Sequence, residues 1–520
     1  MGYPEGLVLA WCLAPAALMT ATAGLARLDW LSVPQLWRVF SAVSIITLVF
    51  AALAVAAGVN AHWPGAIYAA RFRLVLATLV QLLGTVIVRF SARYLEGEAN
   101  QAHTISALAA VLAGVQVLLL ADHWLLLIAA WASLGIALRH LLCFYPDRPF
   151  ALLAAHKKYI ADRLADVLLL IAAALAWHEV GSGSLSSLSS HIAQHGMSTS
   201  LQVSAVLLVL AVTLRTALLP VHGWLIQVME APTPVSALLH AGVVNLGGFV
   251  LIRFAPMLEH AAAARALLMA LGLVTAVLAG MVMLTRISIK VRLAWSTVAQ
   301  MGFMLLECAL GLYTLAALHL IGHSLYKAHA FLSASAVVRQ TRLQSLHRAS
   351  PASAVSLILA PALTISVVFL LLALAGVSGW PWWWSLVLGL AWAPLLWLPA
   401  NRADWSTWAA QILFGLVTVI GLTVAAMAAH ALPLGLRDVP DNRLGVIALS
   451  GMVVLYLLQV LLQKRPQPLS RWRRWSYAGF YLDEAYTRLA LSLWPADWSL
   501  RTYATLESSA STVQLVDASH

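Results

Sequence analysis

Long apolar runs, most of them about the length of a bilayer-spanning helix, alternate with short polar links along almost the whole chain. An α-helix needs roughly 20 predominantly apolar residues to cross the hydrocarbon core, and by that measure the sequence predicts about 15 membrane-spanning helices. They lie near residues 5–25, 37–60, 72–92, 104–121, 123–143, 159–178, 201–219, 232–255, 264–285, 289–311, 313–338, 352–377, 381–400, 407–431 and 443–463. The pattern therefore predicts an all-α polytopic membrane protein.

The composition agrees with a membrane protein and argues against several soluble classes. The chain is 62% hydrophobic and 10% charged over its 520 residues, whereas a soluble domain carries roughly 25% charged residues. Cys12, Cys143 and Cys308 lie far apart and predict neither a disulfide framework nor an iron–sulfur site. The sequence has no phosphate-binding glycine loop, zinc-binding spacing or nucleophile motif, so we expect no cofactor or metal in this chain and no catalysis by it alone.

Basic residues are distributed unevenly among the links between the predicted helices. The links after the third, fifth, ninth and eleventh helices are basic, as is the tail, whereas the link at 179–200 has no Lys or Arg. The basic residues are Arg93, Arg148, Lys157, Lys158, Arg286, Arg339, Arg342, Lys464, Arg465, Arg471, Arg473 and Arg474. Because short cytoplasmic loops carry the excess of Lys and Arg, the N-terminus is predicted outside and the tail in the cytoplasm. The net charge of +11 then reflects topology, and we expect no nucleic-acid partner.

The strongest pattern of titratable groups lies in the eleventh predicted helix. His319, His323 and Lys327 follow one another at intervals of four residues and therefore share one helix face. Three ionisable groups on one face at membrane depth are costly unless they meet water or partners, and imidazole changes its charge near neutral pH. The pattern predicts a proton relay. The alternative is that the histidines only hydrogen-bond neighbouring helices and that Lys327 extends to a surface.

A second polar edge runs along the tenth predicted helix. Lys290 lies at its start, polar side chains continue inward, and Glu307 lies about two turns beyond the last of them. If this edge faces the histidines of the next helix, Glu307 is an intramembrane acid in the same path. Alternatively, Lys290 is a topological anchor at the cytoplasmic side and Glu307 lies close to the outer surface.

Segment 214–240 combines prolines with ionisable residues in apolar surroundings. Its prolines, at 220, 232 and 234, interrupt helices, which a membrane tolerates only where the freed backbone is buried in protein or lines a cavity. The ionisable residues are Arg215, His222, Glu230 and His240. Broken helices form ion sites in transporters, so we predict that Arg215, Glu230 and His240 belong to an ion path. The alternative is a proline-bent connection with Glu230 in water.

Further charges lie at the start of the sixth predicted helix and in the tail. Arg163 and Asp166, three residues apart, are predicted to form a structural ion pair. Lys157 and Lys158 are either membrane anchors or an inlet that gathers charge, and they are candidates for contact with a partner. The tail at 472–495 is either an amphipathic surface helix or a docking element. The candidate docking residues of the tail are Arg471, Arg473, Arg474, Asp483 and Glu484.

These motifs resemble those of the proton-channel subunits shared by respiratory complex I and the multisubunit cation/proton antiporters. The matching segments occur in the family's order and include Arg215-Thr-Ala-Leu-Leu-Pro, Glu230-Ala-Pro-Thr-Pro-Val-Ser-Ala-Leu-Leu-His240, Gln300-Met-Gly-Phe-Met304 and His319 to Lys327. The resemblance implies an all-helical bundle with two inverted repeats of five helices, each with a broken helix. We accordingly divide the chain into N-terminal helices at 1–103, a first repeat at 104–255, a degenerate second repeat at 264–431, and a last helix with its tail at 443–520.

Two departures from this family concern its charged groups. The family usually pairs a glutamate of its fifth helix with a lysine of its seventh, and the matching positions here are Ala132 and Arg215. Arginine does not deprotonate in proteins, so Arg215 is not expected to be a protonation switch, and its usual carboxylate partner is absent. The family's second broken helix carries another lysine, yet the only lysine after Lys327 is Lys464, in the tail. We therefore do not expect a standard complex I pump stroke.

A smaller branch of the family matches more closely. Arg139-His-Leu-Leu-Cys-Phe-Tyr-Pro-Asp-Arg-Pro149, Ala154-Ala-His-Lys-Lys158 and Gly479-Phe-Tyr-Leu-Asp-Glu484 resemble the membrane subunits of the DAB inorganic-carbon accumulation complexes. This resemblance implies a bacterial inner-membrane location and a large cytoplasmic partner that contains zinc and is similar to a β-carbonic anhydrase. It also implies that cation flow through the membrane subunit energises one-way hydration of CO2 to bicarbonate in the partner.

The leading hypothesis is therefore an ion-conducting transporter subunit. Protons or Na+ enter from outside and pass a polar axis that includes His319, His323, Lys327 and His240. They leave near Lys290, Glu230 or the basic loop at 139–158. Two alternatives stay open. One is a subunit of a redox-driven pump or cation antiporter, and the other is a membrane scaffold with a vestigial channel, which the missing second lysine favours.

Overall fold

The architecture is described from a computed structural model of the chain, which covers residues 5–63, 65–334, 352–377, 380–400, 405–464 and 470–495. Arg339, Arg342 and Arg465, which entered the topology argument, lie outside the described residues, as do the end of the eleventh predicted helix and residues 496–520 of the tail.

The first part of the chain is a series of long helices. In chain order they are α1 (Glu5–Leu25), α2 (Val33–Ala56), α3 (Arg71–Tyr94), α4 (Gln101–Leu120), α5 (Trp124–Leu142), α6 (Pro149–Val180), the shorter α7 (Leu185–His195) and α8 (Thr199–Arg215). A small antiparallel hairpin, β1 (Ala61–Trp63) and β2 (Ile67–Ala69), connects α2 with α3.

A broken stretch of short helices follows α8. It consists of α9 (Gly223–Gln227), a 3-10 turn (Val228–Glu230), α10 (Thr233–Leu238), a π-helical turn (Leu239–Val243), α11 (Leu246–Arg253) and α12 (Ala255–Glu259). Each proline removes a backbone donor, and π-helical turns occur frequently at functional sites. The interruption that the sequence predicts in segment 214–240 is therefore confirmed.

Long helices resume after the broken stretch and lead to a short helical tail. They are α13 (Ala262–Thr285), α14 (Ile289–Ala309), α15 (Tyr313–Leu332), α16 (Ala354–Leu374), α17 (Trp382–Trp392), α18 (Trp405–His430), α19 (Asn442–Lys464), α20 (Ser470–Tyr477) and α21 (Leu482–Leu493). α16 continues through Pro361, and α17 ends in a 3-10 turn at Ala393–Leu396. Among the described residues from α13 to α19, α17 is the only long helix that passes into a 3-10 turn. No stretch there consists of several short helices, as the one after α8 does.

The helices agree with the predicted membrane architecture. Among the described residues, nine helices are long and apolar enough to cross a membrane, and three shorter apolar helices accompany them. A helix lies in each predicted segment, although α6, α14 and α15 are not among those nine. The all-α polytopic fold is confirmed, whereas the number of crossings and the division into two repeats stay predictions.

Burial distinguishes the centre of the bundle from its periphery. The most apolar window of Thr233–Arg253 is 94% buried, whereas the corresponding windows of Ser406–His430 and Asn442–Lys464 are 17% and 22% buried. Exposed apolar side chains such as Phe414 and Leu457 would be costly in water but suit contact with lipid. The part of the broken stretch at Thr233–Arg253 therefore lies at the protein-enclosed centre, where His240 is removed from lipid.

α6 crosses the whole bundle and carries several charged residues along its length. It has 32 residues and is therefore about 48 Å long. Pro149 lies in its first turn, where a missing N–H leaves no donor unsatisfied. Gly181 ends the helix with a φ of 70°, and its N–H donates to the Trp177 carbonyl at 2.8 Å.

Candidate ion pathway

Arg215, at the end of α8, forms a buried ion pair with Asp166 of α6. The Arg215 side chain is only 2% exposed. Its other terminal nitrogen donates to the Trp131 carbonyl at 2.9 Å, and its guanidinium carbon lies 4.7 Å from the centre of the Trp131 ring. The family's usual glutamate is absent at position 132, as the sequence indicates, and Asp166 of α6 supplies the carboxylate partner instead. Since an arginine keeps its proton, this pair holds a fixed charge.

Asp166 also pairs with Arg163, three residues earlier in α6, at 2.9 Å. The ion pair predicted from this spacing is confirmed. Two arginines thus surround one mostly buried carboxylate, which compensates for the loss of its hydration. The arrangement is compatible with a structural role, and it joins α6 to α8.

Lys158 and Asp162 form a second buried pair one turn earlier in α6. The Lys158 ammonium donates to the two carboxylate oxygens at 2.8 and 2.6 Å and lies 4.8 Å from the centre of the Trp224 ring. Gly135 of α5 leaves room for the acid, since a Cβ there would lie 2.6 Å from one Asp162 oxygen. Lys158 is buried, so the prediction that it contacts a partner is wrong.

Lys157 connects α6 with the tail. Its ammonium is fully buried and donates to Asp483 at 2.6 Å and to the Thr487 hydroxyl at 2.9 Å, both on α21. The Tyr486 hydroxyl donates to the Lys157 carbonyl at 2.9 Å. Lys157 and Asp483 thus bind each other. The buried Lys157 ammonium is not open to an external partner in this structure, whereas docking through the partly exposed Asp483 stays a prediction.

The Asp483 carboxylate also reaches the break after α8. It lies against Gly223, the first residue of α9, where any Cβ would collide with it. Gln227 of α9 donates to the other carboxylate oxygen at 3.3 Å. The tail therefore covers one end of the broken stretch. The remaining candidate docking residues of the tail are exposed, and these are Arg471, Arg473, Arg474 and Glu484.

His222 lies between this covered end and α14. Its Nδ1 is 3.1 Å from the Pro220 carbonyl oxygen, and its ring centre is 4.8 Å from that of Trp295. The other ring nitrogen is buried and has no hydrogen-bond partner in the described part of the chain. His222 thus joins the broken stretch to α14, and its Nε2 is free to bind or release a proton.

His240 lies in the π-helical turn and is fully buried. Its Nδ1 is 3.1 Å from the Thr297 hydroxyl of α14, and its ring stacks on Phe331 of α15 with centres 4.5 Å apart. Close by, the Asn245 amide donates to the Ser324 hydroxyl of α15 at 2.7 Å. The broken stretch, α14 and α15 therefore meet around His240.

Lys327 of α15 lies at the same junction and is 1% exposed. Its ammonium donates to the Leu293 carbonyl at 2.9 Å and to the Ser296 hydroxyl, both on α14. No carboxylate of the described residues forms an ion pair with it. The alternative in which Lys327 extends to a surface is wrong, because α14 encloses its ammonium and gives it only neutral ligands.

His323 and His319 continue from Lys327 along the same face of α15. His323 is buried, and neither of its ring nitrogens has a hydrogen-bond partner within the described ranges. Its ring centre lies 6.1 Å from that of His319, whose Nδ1 is 2.9 Å from a carboxylate oxygen of the buried Glu307. The predicted contact between the polar edge of α14 and the histidine face of α15 is confirmed. The role of these residues in conduction stays a prediction.

Lys290 and Glu230 lie towards the other end of α14. The Lys290 ammonium donates to the Thr233 hydroxyl at 3.0 Å. Glu230 has a 40% exposed side chain and lies 3.5 Å from the Arg148 guanidinium. Glu230 is therefore partly solvated, as in the alternative of a proline-bent connection, and its place in an ion path stays a prediction. Both residues are placed where an ion could leave the bundle.

A cavity of about 460 Å³ opens beside His319, among α13, α14, α15, α17 and α19. Most of its lining is apolar, but Ser296, Gln300, His319 and Gln459 face it. Since Ser296 also binds Lys327, the cavity extends to a ligand of the Lys327 ammonium. The sequence contains no local signal for it, because it forms between helices that are far apart along the chain.

One acid of this region, Asp162, and the internal partner of another, Asp483, were missed at the level of sequence. Asp162 lies four residues after Lys158, a spacing that favours an ion pair on one helix face. The internal partner of Asp483 had no comparable signal, since 326 residues separate it from Lys157. The described ranges contain no group of three or more His, Cys, Asp or Glu side chains that could hold a metal ion.

Comparison with known families gives one match that covers most of the bundle. Residues 121–429 match the family described as NADH:quinone oxidoreductase/Mrp antiporter, transmembrane. A relative from Hydrogenovibrio crunogenus, described as a probable inorganic carbon transporter subunit DabB, is 37% identical over 89% of this chain and 91% of its own length. A DabB2 subunit from Halothiobacillus neapolitanus is 47% identical over 54% of this chain, and the match spans 52% of that relative.

Solved structures show the same fold at low sequence identity. The Mrp complex from a Dietzia species contains a chain with a TM-score of 0.59 and 21% identity, and the match covers 99% of this chain and 63% of that one. A chain of the membrane-bound sulfane sulfur reductase, an archaeal respiratory membrane complex, gives a TM-score of 0.57 and 18% identity, with 91% and 99% coverage. These likenesses establish an antiporter-like arrangement of helices.

Proposed function

Because this chain belongs to the NADH:quinone oxidoreductase and Mrp antiporter family, and within it to the DabB-type inorganic carbon transporter subunits, we propose that it conducts protons or Na+ to energise a partner subunit. The partner is a large cytoplasmic protein that contains zinc and is similar to a carbonic anhydrase. The energised reaction is the hydration of CO2 to bicarbonate, which then accumulates. The complex lies in the bacterial inner membrane, with the N-terminus outside and the tail in the cytoplasm.

The observation that carries the proposal is the buried line of titratable side chains on α14 and α15. Glu307 contacts His319, His319 neighbours His323, and Lys327 lies one turn further along the same helix face. Ionisable groups at membrane depth are costly and mark ion paths or relays. A continuous line of them across the centre of a bundle is difficult to explain by helix packing alone.

The absence of a described counter-ion at Lys327 suits a relay. A buried ammonium that touches only a carbonyl and a hydroxyl has no fixed negative charge to hold its proton. His323 offers two ring nitrogens without partners in the part of the chain that the structure describes. Charge at either residue can therefore change without breaking an existing ion pair, which a proton-transfer step requires.

The tail supports coupling to a partner. Asp483 lies against the start of α9 and on the buried Lys157, while three arginines of α20 face outward. A protein bound to those arginines would contact the same short segment that covers the broken stretch. A partner bound in this way would lie one side chain away from the charged interior of α6.

The experiment measures bicarbonate accumulation in carbonic-anhydrase-deficient cells that express this chain with its natural partner. Bicarbonate accumulation is expected in cells with the native chain. A protonophore is expected to abolish it if the coupling ion is H+, and a sodium ionophore if the coupling ion is Na+. Lys327→Ala is expected to abolish accumulation while leaving the complex assembled, since no ion pair is broken.

Lys464→Ala is the matched control, because Lys464 is exposed at the end of α19. It should leave accumulation unchanged. Full accumulation with Lys327→Ala, or loss of the assembled complex, would contradict the proposed relay. Accumulation that resists both ionophores would contradict ion-driven coupling altogether.

A scaffold with a vestigial channel is the second candidate. The observation that favours it is the Arg215–Asp166 pair, which replaces a titratable lysine of the family by a charge that cannot change. The discriminating variant replaces His319, His323 and Lys327 together. Accumulation that survives this triple change supports the scaffold, and accumulation that disappears with assembly retained supports conduction.

A further inference from the structure

Four arginines face one cleft at the end of the bundle opposite the tail. The cleft has a volume of about 470 Å³ and lies between the start of α3, the end of α11 and the loop before α19. Its arginines are Arg71, Arg73, Arg253 and Arg437. The tail and the cleft lie at opposite ends of α6. The first turns of α6 contact the tail, whereas Gly183, just beyond its last turn, accepts a hydrogen bond from the Trp124 N–H, next to Asp122.

The two inner arginines are held in fixed positions. Arg253 pairs at 2.5 Å with Asp122, a fully buried acid that also accepts hydrogen bonds from the hydroxyls of Ser184 and Ser186. The Nε of Arg253 is buried and has no partner among the residues described. One edge of this guanidinium is thus anchored to the protein, and its buried Nε–H donor is unsatisfied among the described residues.

Arg73 is the most buried arginine of the cleft, and Asp122 acts on it only from beyond ion-pair distance. Arg73 is 4% exposed, and its guanidinium stacks 4.4 Å from the centre of the Tyr68 ring and donates to the Tyr68 carbonyl at 2.8 Å. No carboxylate of the described ranges forms an ion pair with it. A buried guanidinium without a counter-ion is costly, and an anion in the cleft would remove much of that cost.

The rim of the cleft is also positive. Arg71 and Arg437 are exposed there, and neither belongs to an ion pair within the described residues. Glu259 is the only acid in the lining, and Asp122 lies behind Arg253. The four arginines carry four positive charges and the two acids carry two negative charges, so the cleft has a net charge of about +2. Guanidinium groups match planar or tetrahedral oxyanions through paired N–H donors, and they do so better than lysines.

We propose that this cleft is a binding site for an oxyanion, either a small free anion of the bicarbonate or phosphate type or the phosphate of an anionic lipid headgroup. Arg73 and the free edge of Arg253 bind the oxygens, and Arg71 and Arg437 attract the anion to the opening. This site does not depend on ion conduction through α14 and α15, because none of its residues belongs to that line.

The test uses the full chain, purified and placed in nanodiscs of phosphatidylcholine. Thermal stability is measured against sodium bicarbonate and sodium phosphate, with sodium chloride at equal ionic strength as the reference. In parallel, native mass spectrometry records whether phosphatidylglycerol stays bound to the chain. The variants are Arg73→Gln and the rim pair Arg71→Gln with Arg437→Gln, which breaks no ion pair. Arg38→Gln, an exposed arginine of α2 outside the cleft, is the matched control.

Saturable stabilisation by bicarbonate or phosphate, weakened about tenfold by Arg73→Gln and unaffected by Arg38→Gln, identifies a free anion as the ligand. Retained phosphatidylglycerol that both cleft variants lose identifies a lipid headgroup. If the anions stabilise no more than chloride and the cleft variants retain the same lipids as Arg38→Gln, the proposal is overturned. The rim pair guards against misfolding, because both of its residues are exposed.

Discussion

The first and second halves of the bundle each bury a cation at the end of a line of charges, but they treat it differently. Arg215 is paired with Asp166, stacks on Trp131 and keeps its proton. Lys327 donates only to a carbonyl and a hydroxyl of α14, and His323, its titratable neighbour one turn away on the same helix face, has no hydrogen-bond partner within the described ranges. One half holds its charge in place, and the other leaves its charge free to change.

This difference gives the two buried cations different chemical properties: Arg215 is held in an ion pair, whereas Lys327 has only neutral ligands. The resemblance to the family implies a glutamate–lysine pair at the positions that Ala132 and Arg215 occupy here. Here an acid from α6 and an arginine replace it, and the pair joins α6 to α8. The Arg215–Asp166 pair is therefore a fixed electrostatic frame, and under the proposed function the changes of protonation occur around His323 and Lys327.

Removing the acid of the fixed pair should have the largest effect on stability. Asp166→Ala leaves the buried Arg215 without its counter-ion, which is expected to destabilise the fold by about 3–5 kcal/mol. Thermal unfolding of the purified chain checks it. Arg163→Ala, which removes the more exposed partner of the same acid, should cost much less. Equal stability of Asp166→Ala and the native chain would show that Arg215 is not held by this pair.

Removing the unpaired histidine should affect transport and leave stability nearly unchanged. His323→Ala takes away a group with no hydrogen bond in the described structure, and a lost proton-transfer group lowers rates by roughly 10²–10⁴-fold. Bicarbonate accumulation and the amount of assembled complex are measured together. His329→Ala, an exposed histidine on the same helix, is the control and should behave like the native chain. Native accumulation with His323→Ala would exclude it from the relay.

Weakening the contact between tail and α6 should have an intermediate effect. Asp483→Asn removes the charge that faces the buried Lys157, so the tail should bind the bundle less tightly and become more susceptible to a protease. Limited proteolysis and co-purification of the partner measure this change. The neighbouring, exposed Glu484 provides the matched variant Glu484→Gln. If both variants release the tail equally, the tail is held by its overall negative charge at this position and not by the specific contact with Lys157.

Restoring a lysine in the first half should have the smallest effect. Arg215→Lys keeps a cation opposite Asp166 but gives up the hydrogen bond to Trp131, so a loss of about 1 kcal/mol in stability is expected. Accumulation should stay close to that of the native chain, because the frame needs a positive charge and not a permanent one. A strong loss of accumulation would mean that the first half takes part in ion transfer through its arginine.

The sequence predicted well those features that depend on spacing within one helix. Apolar runs gave the positions of the helices, three prolines gave the break after α8, and intervals of four residues placed His319, His323 and Lys327 on one face. The Arg163–Asp166 pair was found in the same way. In each case the information lies within a few turns of one element.

Features that depend on how distant elements pack could not be predicted in this way. Asp166 reaches Arg215 across two helices, and Lys157 reaches Asp483 across most of the chain. Neither contact follows from any period in the sequence. Burial was also misjudged for Lys157 and Lys158, because a lysine close to a predicted helix start looks like a surface anchor until a tail or a second charge is seen to cover it.

The length and continuity of α6 have a mechanical consequence. The helix contains no proline after Pro149, so it behaves as a stiff rod about 48 Å long. Lys157, which touches the tail, and Asp166, which touches Arg215, are nine residues apart and therefore about 13.5 Å apart on that rod. A pull on the tail would move both contacts by nearly the same distance, together with the far end next to Asp122. The rod would thus carry a displacement made by a bound partner to the opposite face of the membrane without any ion having to move first.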